Sequence, residues 1–259
     1  MDKNSIQSLF DISGKTALIT GATGGLGKCA CEGLALAGAN VMMTGRSEEK
    51  LKATQAEMEA KGLKMSYSVG DPVKAEDVER IVAETKAKFG GIDILITAAG
   101  MNKPQPIVEQ TPETWQNIMD ANVRGTWLFC KYAGKLMIDQ KIKGKVILIS
   151  STRGMLGMAN YTAYSPSKAA VDLMAKSLAW EWGPHQINVN AIAPTVFRTE
   201  LTQWMFDDDA AYKRFLNRIP YGRLGEPEDF VGTCIFLSSR ASDFVTGDVL
   251  YVDGGYTAG

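Results

Sequence analysis

Residues 15–38 place the strongest constraint on what this chain can fold into. Lys15 to Thr20 reads Lys-Thr-Ala-Leu-Ile-Thr, a short apolar, β-rich run of the kind that forms buried parallel strands. It leads straight into Gly21-Ala22-Thr23-Gly24-Gly25-Leu26-Gly27, and Cys29 to Gly38 then follows a helical pattern. Strand, glycine turn and helix in that order give a glycine pattern its meaning. Gly21 would permit the tight turn, Gly25 would let the backbone approach a pyrophosphate, and Gly27 would let the helix pack closely on the strand. The helix N-terminus would then present free N–H groups and a partial positive charge to the phosphates. A glycine-rich loop without a ligand is the plain alternative, but it leaves the agreement of strand, turn and helix unexplained.

The alternation continues along the chain. Candidate strands cover 15–20, 40–45, 64–70, 92–97, 144–150, 186–192 and 247–252. Helical patterns fall near 25–38, 47–62, 74–89, 112–139, 161–182, 200–217 and 226–239. Such alternation implies right-handed crossovers and a parallel sheet covered on both faces, with ligands at the carboxyl ends of the strands. The expected fold class is α/β, a Rossmann-type doubly wound sheet of seven parallel strands. One domain is expected over residues 1–259, with an N-terminal extension at 1–12 and a substrate-lid segment at 195–218. The 259 residues are 45% hydrophobic, enough for one substantial core.

Charge and composition exclude several function classes. With 28 basic and 29 acidic residues the formal net charge is −1, which gives no electrostatic case for nucleic acid or an anionic membrane. No apolar run approaches the roughly 18 residues that span a bilayer. Met1 to Phe10 is mostly polar, without a basic-then-apolar signal, so a cytoplasmic location is expected. Cys29, Cys31, Cys130 and Cys234 form no C-x-x-C pair and read as reduced, semi-buried helix residues. The chain has one histidine, His185, in the loop Gly183-Pro184-His185-Gln186. A histidine-rich zinc site is therefore excluded, and the cysteines lack ligand spacing, so no metal is expected. A Ser-His-Asp hydrolase would need that histidine, and no G-x-S-x-G elbow precedes it. Proton chemistry must rest on Tyr, Lys, Asp or Glu.

Tyr164 and Lys168 answer that need. They stand four residues apart in Tyr161-Thr162-Ala163-Tyr164-Ser165-Pro166-Ser167-Lys168, with Ser151 thirteen residues before Tyr164. Positions i and i+4 share a helix face, so phenol and ammonium can point into one cleft. A nearby ammonium is expected to lower the phenol pKa, and a tuned tyrosine can exchange a proton at a carbonyl or hydroxyl carbon. Taken alone, the pair could equally be a Tyr and a Lys on a solvated helix face.

Taken together, these residues resemble the short-chain dehydrogenase/reductase family in its compact single-domain branch. The matching motifs run in order: Thr20-Gly21-x-x-x-Gly25-x-Gly27, Asp71, Ala98-Ala99-Gly100, Asn122, Ser151, Tyr164 with Lys168, Pro194 with Thr199, and Val252-Asp253-Gly254-Gly255. They cover nearly the whole chain from about Ser13. The resemblance implies hydride transfer between a nicotinamide and a substrate carbon. Tyr164 would be the general acid in reduction and the base in oxidation. Lys168 would tune it and hold the nicotinamide ribose, and Ser151 would orient the substrate oxygen. Asn122 would prop Lys168 through a water. Thr23, Leu26, Ala99, Gly100, Pro194, Phe197 and Thr199 would join the glycine turn in holding the cofactor. Asn122 could instead be a helix kink or a buried amide bonding its own backbone, and Ser151 an ordinary turn serine. Tyr161 has no lysine four residues on, so it is expected to line the pocket.

Cofactor choice is read after the second strand. NAD-specific folds usually place an acidic residue there, but this chain has Thr44-Gly45-Arg46-Ser47. Nothing there would repel a 2′-phosphate, and Arg46 can pair with one while Ser47 adds a hydroxyl or caps the next helix. NADP(H) is favoured, with NAD(H) open. Asp71 resembles the family's adenine-contacting residue; its alternative is a helix cap before the next helix.

Three departures from the family pattern concern packing more than reaction type: Thr97-Ala98-Ala99-Gly100 in place of Asn-Asn-Ala-Gly, Thr195 after Pro194, and Phe197 where a small aliphatic is usual. The pocket should be lined from 101–106, 153–161 and 197–218. Arg153 could grip an anionic group of the substrate or lie on the rim, and Trp204, Met205 and Phe206 could close as a lid or serve as core. Overall similarity leans toward sugar-acid and polyol dehydrogenases such as gluconate 5-dehydrogenases, and toward 3-oxoacyl reductases. A non-catalytic redox sensor on the same fold, and an epimerase or dehydratase, are the other classes. The resemblance also implies a homotetramer, with the 247–252 strand meeting its copy across one axis and the helices near 112–139 and 161–182 pairing across another. Trp127, Leu128, Phe129, Leu173 and Leu178 are candidates for the helix contact, with the core as the alternative for each.

Overall fold

The computed structural model describes residues 2–199 and 202–259. Seven strands form one sheet: β1 (Thr16–Thr20), β2 (Asn40–Gly45), β3 (Met65–Val69), β4 (Ile94–Thr97), β5 (Lys145–Ile149), β6 (Asn188–Pro194) and β7 (Val249–Val252). Every pairing is parallel, and the order is β3-β2-β1-β4-β5-β6-β7. All seven expected strands are present, trimmed by a residue or two at most ends. The strand order reverses between β1 and β4, which opens a crevice at their carboxyl ends.

The helices in chain order are α1 (Lys3–Gln7), α2 (Gly25–Leu36), α3 (Glu48–Ala60), α4 (Ala75–Phe89), α5 (Pro112–Met119), α6 (Gly125–Asp139), α7 (Tyr164–Trp182), α8 (Gln203–Asp207), α9 (Asp209–Leu216) and α10 (Pro227–Ser238). Two apolar layers cover the sheet. On one face Ile19, Val41, Met43, Ile94 and Ile96 pack with α2 and α10 through Leu34, Phe230 and Leu237. On the other, Leu18, Met42, Leu95 and Leu148 pack with α4, α6 and α7 through Ile81, Phe129 and Val171. Burial on both faces is why the strands read as continuous apolar runs.

Two expected helices are divided. The pattern over 112–139 is interrupted by one wide turn, Asp120–Arg124, with Asn122 buried inside it. Such a turn inside an α-helix frequently marks a functional position. The 200–217 segment contains α8 and α9, while Glu200 and Leu201 lie outside the described residues.

The candidates for a helix-to-helix contact divide. Leu128 and Phe129 belong to the core, and Leu178 packs partly against it. Trp127 and Leu173 remain 49% and 64% exposed, and α7 also displays Trp180, which sequence reading did not single out. His185 is exposed in a short turn, as expected. Three of the four thiols, Cys31, Cys130 and Cys234, are fully buried rather than semi-buried, and burial pushes the Cys130 thiol up to about 12. No helix among the described residues is long and apolar enough to cross a membrane.

Candidate active site

The glycine turn closes the crevice at the strand-order switch. Gly21 has φ +64° and stands so near the β4 end that a Cβ would meet Ala98 and Ala99 backbone atoms at 2.8 Å. At Gly27 a Cβ would overlap the carbonyl oxygen of Gly21, so helix and turn pack as expected. Among the described residues a Cβ added at Gly24 would meet nothing within 4 Å, and one at Gly25 would meet only the methyl of Thr199 at 3.9 Å. Gly24 is the N-cap of α2 and offers no side chain to its first N–H groups. Open space in front of uncommitted helix N–H groups fits a phosphate. The placement of Thr199 brings the start of the lid segment onto the turn.

Where the adenosine end of a cofactor was expected there is a cavity of about 310 Å³ bounded by Arg46, Val69, Gly70, Asp71, Asp77 and Arg80. Arg46 is exposed and lines the cavity, without an ion-pair partner among the described residues. Ser47 does cap α3, accepting from Lys50 N at 3.3 Å. Asp71 makes a local turn, with Oδ1 accepting from Val73 N at 3.2 Å, while the α4 N-cap is Lys74. Arg80 is a wall residue that sequence reading missed. It donates to Val69 O at 2.7 Å and pairs with Asp77 and Glu84. Its helix-face spacing from Asp77 and Glu84 was the available signal.

Asn122, Ser151, Tyr164 and Lys168 converge beyond the ends of β4 and β5. A Cβ at Gly100 would lie 2.9 Å from Asn122 Oδ1 and 3.7 Å from Lys168 Nζ. Asn122 is fully committed through its side chain: Oδ1 accepts from Met101 N at 2.8 Å, and Nδ2 donates to Met101 O at 3.0 Å and Ser167 Oγ at 2.9 Å. The buried amide bonds the backbone of Met101 rather than its own, and a wide turn, Asp120–Arg124, stands where a kink was the alternative. Ser167, which donates to Tyr164 O at 2.6 Å, ties Asn122 to the first turn of α7. Ser151 caps a short turn, its Oγ accepting from Arg153 N at 3.1 Å.

The electrostatics correct one expectation. Lys168 Nζ donates to Ile149 O at 2.8 Å and lies 5.7 Å from the Tyr164 ring centroid. Burial brings its pKa down to about 8, with Asp172 opposing the shift. Tyr164 is not lowered by Lys168. Burial raises its pKa, and the opposing influences are hydrogen bonding to Ser151 and the charge of Arg153. The ammonium is anchored on a backbone carbonyl, beside Gly100 and over the phenol ring without bonding its hydroxyl. Tyr161 meets Tyr164 edge-on, ring centroids 5.8 Å apart, and so does border the site.

Phe197 is placed differently from its expected role. Its ring is buried against Phe230 at 6.3 Å and against Gly225, so only its backbone remains for a nicotinamide. Arg153 is not a rim residue but a buried one, donating to Tyr256 Oη and to Gly157 O at 3.4 Å. In the segment expected as a lid, Phe206 packs with Tyr212, and the Arg198 guanidinium stands 4.0 Å from its ring centroid. The Trp204 side chain lies outside the described residues.

Comparison with known proteins agrees with this geometry. A family model described as enoyl-(acyl carrier protein) reductase matches residues 21–257. An uncharacterised oxidoreductase of Mycobacterium tuberculosis is 47% identical over 255 residues, covering 96% of this chain and 93% of that protein. Gluconate 5-dehydrogenase of Gluconobacter oxydans is 39% identical, covering 96% and 97%. The crystal structure of a gluconate 5-dehydrogenase from Burkholderia cenocepacia, in complex with NADP and tartrate, superposes with a TM-score of 0.93 at 33% identity, covering 98% and 99%. With its glycine turn, its Tyr164–Lys168 spacing and a sheet order shared at this level of similarity, the chain belongs to the short-chain dehydrogenase/reductase family.

Proposed function

We propose that the protein is an NADP-dependent oxidoreductase that interconverts a secondary alcohol and a ketone on a polyol, sugar acid or similar small polar substrate. The observation that carries this reading is the meeting of Asn122, Lys168 and Gly100 at one point beside Ser151 and Tyr164, at the crevice that the glycine turn closes. A nicotinamide cofactor held by the glycine turn and Lys168 would supply hydride chemistry at its C4. Tyr164 gives its proton to the substrate oxygen in reduction and takes one back in oxidation. Ser151 holds that oxygen. Lys168, anchored on Ile149 O beside Gly100, would hold the nicotinamide ribose. Asn122 fixes the Met101 backbone and, through Ser167, the start of α7.

Arg46 supports NADP over NAD, since an arginine lining that cavity suits a 2′-phosphate and no acid occupies the Gly45 position. The likeness to gluconate 5-dehydrogenases supports a sugar acid or polyol. The test is to screen polyols, sugar acids and ketones with both cofactors while following nicotinamide absorbance. Turnover of secondary alcohols upholds the reading, and a folded, cofactor-binding protein without turnover opposes it. A 3-oxoacyl thioester reductase is the second reading, favoured by the acyl-carrier description of the family model. Turnover of acetoacetyl thioesters without turnover of polyols would select it.

A further inference from the structure

Among the described residues, the buried cations have acids near them with one exception. Lys145 pairs with Asp243 at 2.7 Å, and Asp172 acts on Lys168 from one helical turn away. Arg153 is the one buried arginine, 8% exposed, and its guanidinium is bonded only to the Tyr256 hydroxyl and the Gly157 carbonyl. A guanidinium cannot discharge itself by losing a proton, so its charge stays inside the fold. Buried charges without counter-charges are costly and rare.

The surroundings increase the positive charge rather than cancel it. Arg153 stands 5.3 Å from the centroid of the Tyr256 ring, and Arg218 stands 4.6 Å from the same centroid. Neither has an ion-pair partner among the described residues. Asp253, the acid nearest in sequence to Tyr256, is committed locally: it accepts from Gly255 N at 2.9 Å, Thr257 N at 2.9 Å and Thr257 Oγ1 at 2.7 Å. The cluster also borders the reacting groups. Arg153 N donates to Ser151 Oγ, and the Arg153 charge acts on the phenol of Tyr164. Tyr256 packs with Ile219 and Leu224, against which Leu156 and the lid residues Phe206 and Phe215 also rest. A cavity of about 310 Å³ opens on the Tyr256 side, walled by Arg218, Ile219, Pro220, Tyr256 and Gly259, with Arg153 outside its wall.

We propose that Arg153, held by Tyr256 and reinforced by Arg218, receives a carboxylate carried by the substrate and makes the enzyme select anionic polyols over neutral ones. The proposal rests on reading the site as an alcohol–ketone oxidoreductase. The planar guanidinium fork matches a carboxylate through two parallel hydrogen bonds, which an ammonium does not reproduce. The substrate would thus bring the counter-charge that the fold lacks, beside the hydroxyl that orients its reacting oxygen.

Two measurements test this. The first is the ratio of kcat/KM for D-gluconate to that for D-glucitol, in wild type and in Arg153→Gln, Arg153→Lys and Arg218→Gln. The second is calorimetric titration of L-tartrate into the same proteins with NADP bound. Arg153→Gln should lower both the ratio and the tartrate affinity by about ten- to a hundredfold. Arg153→Lys should recover only part of the loss, and Arg218→Gln should shift both quantities the same way by less. Equal tartrate affinity in wild type and Arg153→Gln, or no tartrate binding to wild type, overturns the proposal. An unchanged ratio does so too. If wild type turns over neither sugar, the oxidoreductase reading on polyols fails, and the tartrate titration still decides the carboxylate site. Should Arg153→Gln not fold, Arg153→Lys carries the comparison, and wild-type values for it contradict the proposal.

Discussion

Lys168 donates its ammonium to the carbonyl oxygen of Ile149 at 2.8 Å, which anchors the α7 lysine on the last residue of β5. The contact joins the carboxyl end of β5 to α7 through one buried charge. It also places that charge where desolvation acts on it most.

A stability prediction follows from the depressed pKa. Lys168 titrates near 8 in the fold, against an ordinary value of 10.5. Between those values the unfolded chain binds more protons than the folded one, so wild-type stability should rise with pH across the window, by up to about 1.4 kcal/mol per unit. Below pH 8 the burial cost is fully present. The difference in unfolding free energy between wild type and Lys168→Met should therefore move in favour of wild type from pH 8 to 10.5. Urea titrations at successive pH values check this, and a flat difference would mean that the lysine is not desolvated.

Lys168→Ala should also reduce both turnover and NADP affinity, because the ammonium is proposed to hold the nicotinamide ribose. A variant that loses rate while binding NADP with wild-type affinity would limit Lys168 to the proton step.

Cofactor preference should reside in Arg46. Arg46 bounds the cavity proposed for the adenosine, so Arg46→Ala should weaken NADP by about ten- to a hundredfold and leave NAD little changed. Fluorescence titration with both reduced cofactors decides it, and equal losses would assign the residue another role.

Gly27→Ala should be among the most damaging small substitutions in the chain. The added methyl would overlap the Gly21 carbonyl, a backbone atom that cannot turn aside. Overpacking of this kind typically costs about 1–3 kcal/mol, and moving the turn should also weaken cofactor binding. A variant with wild-type melting temperature and NADP affinity would contradict the tight helix-on-turn packing.

Much of this architecture was legible in the chain because its strands are buried on both faces and so carry long apolar runs bounded by glycines and prolines. The glycine turn was legible for a similar reason: Gly21 and Gly27 each answer to a close backbone contact that any Cβ would break. What stayed hidden depends on contacts between distant segments. The helix pattern over 112–139 gave no sign of the wide turn at Asn122, which is held by Met101 and Ser167. Arg153 looked equally suited to rim or pocket, because its burial depends on Tyr256, more than a hundred residues away. The raised pKa of Tyr164 was likewise beyond a motif, since spacing reports which groups are neighbours and not how much water they have lost.

Oligomeric state tests the surfaces. A homotetramer is expected, with Trp127, Leu173 and the 89%-exposed Trp180 as the apolar residues available on α6 and α7. Light scattering at micromolar concentration should give four times the monomer mass. A dimer would leave only one of the two interfaces, and a monomer would remove both.

The account rests most heavily on Tyr164 as the group that exchanges a proton with the substrate oxygen. The direct measurement is kcat of Tyr164→Phe on whichever alcohol the wild type oxidises, alongside NADP affinity of the same variant. Removal of the hydroxyl should abolish turnover to within the assay limit while the NADP Kd stays near wild type. Retention of a substantial fraction of wild-type kcat, with the chemical step limiting, would contradict the assignment.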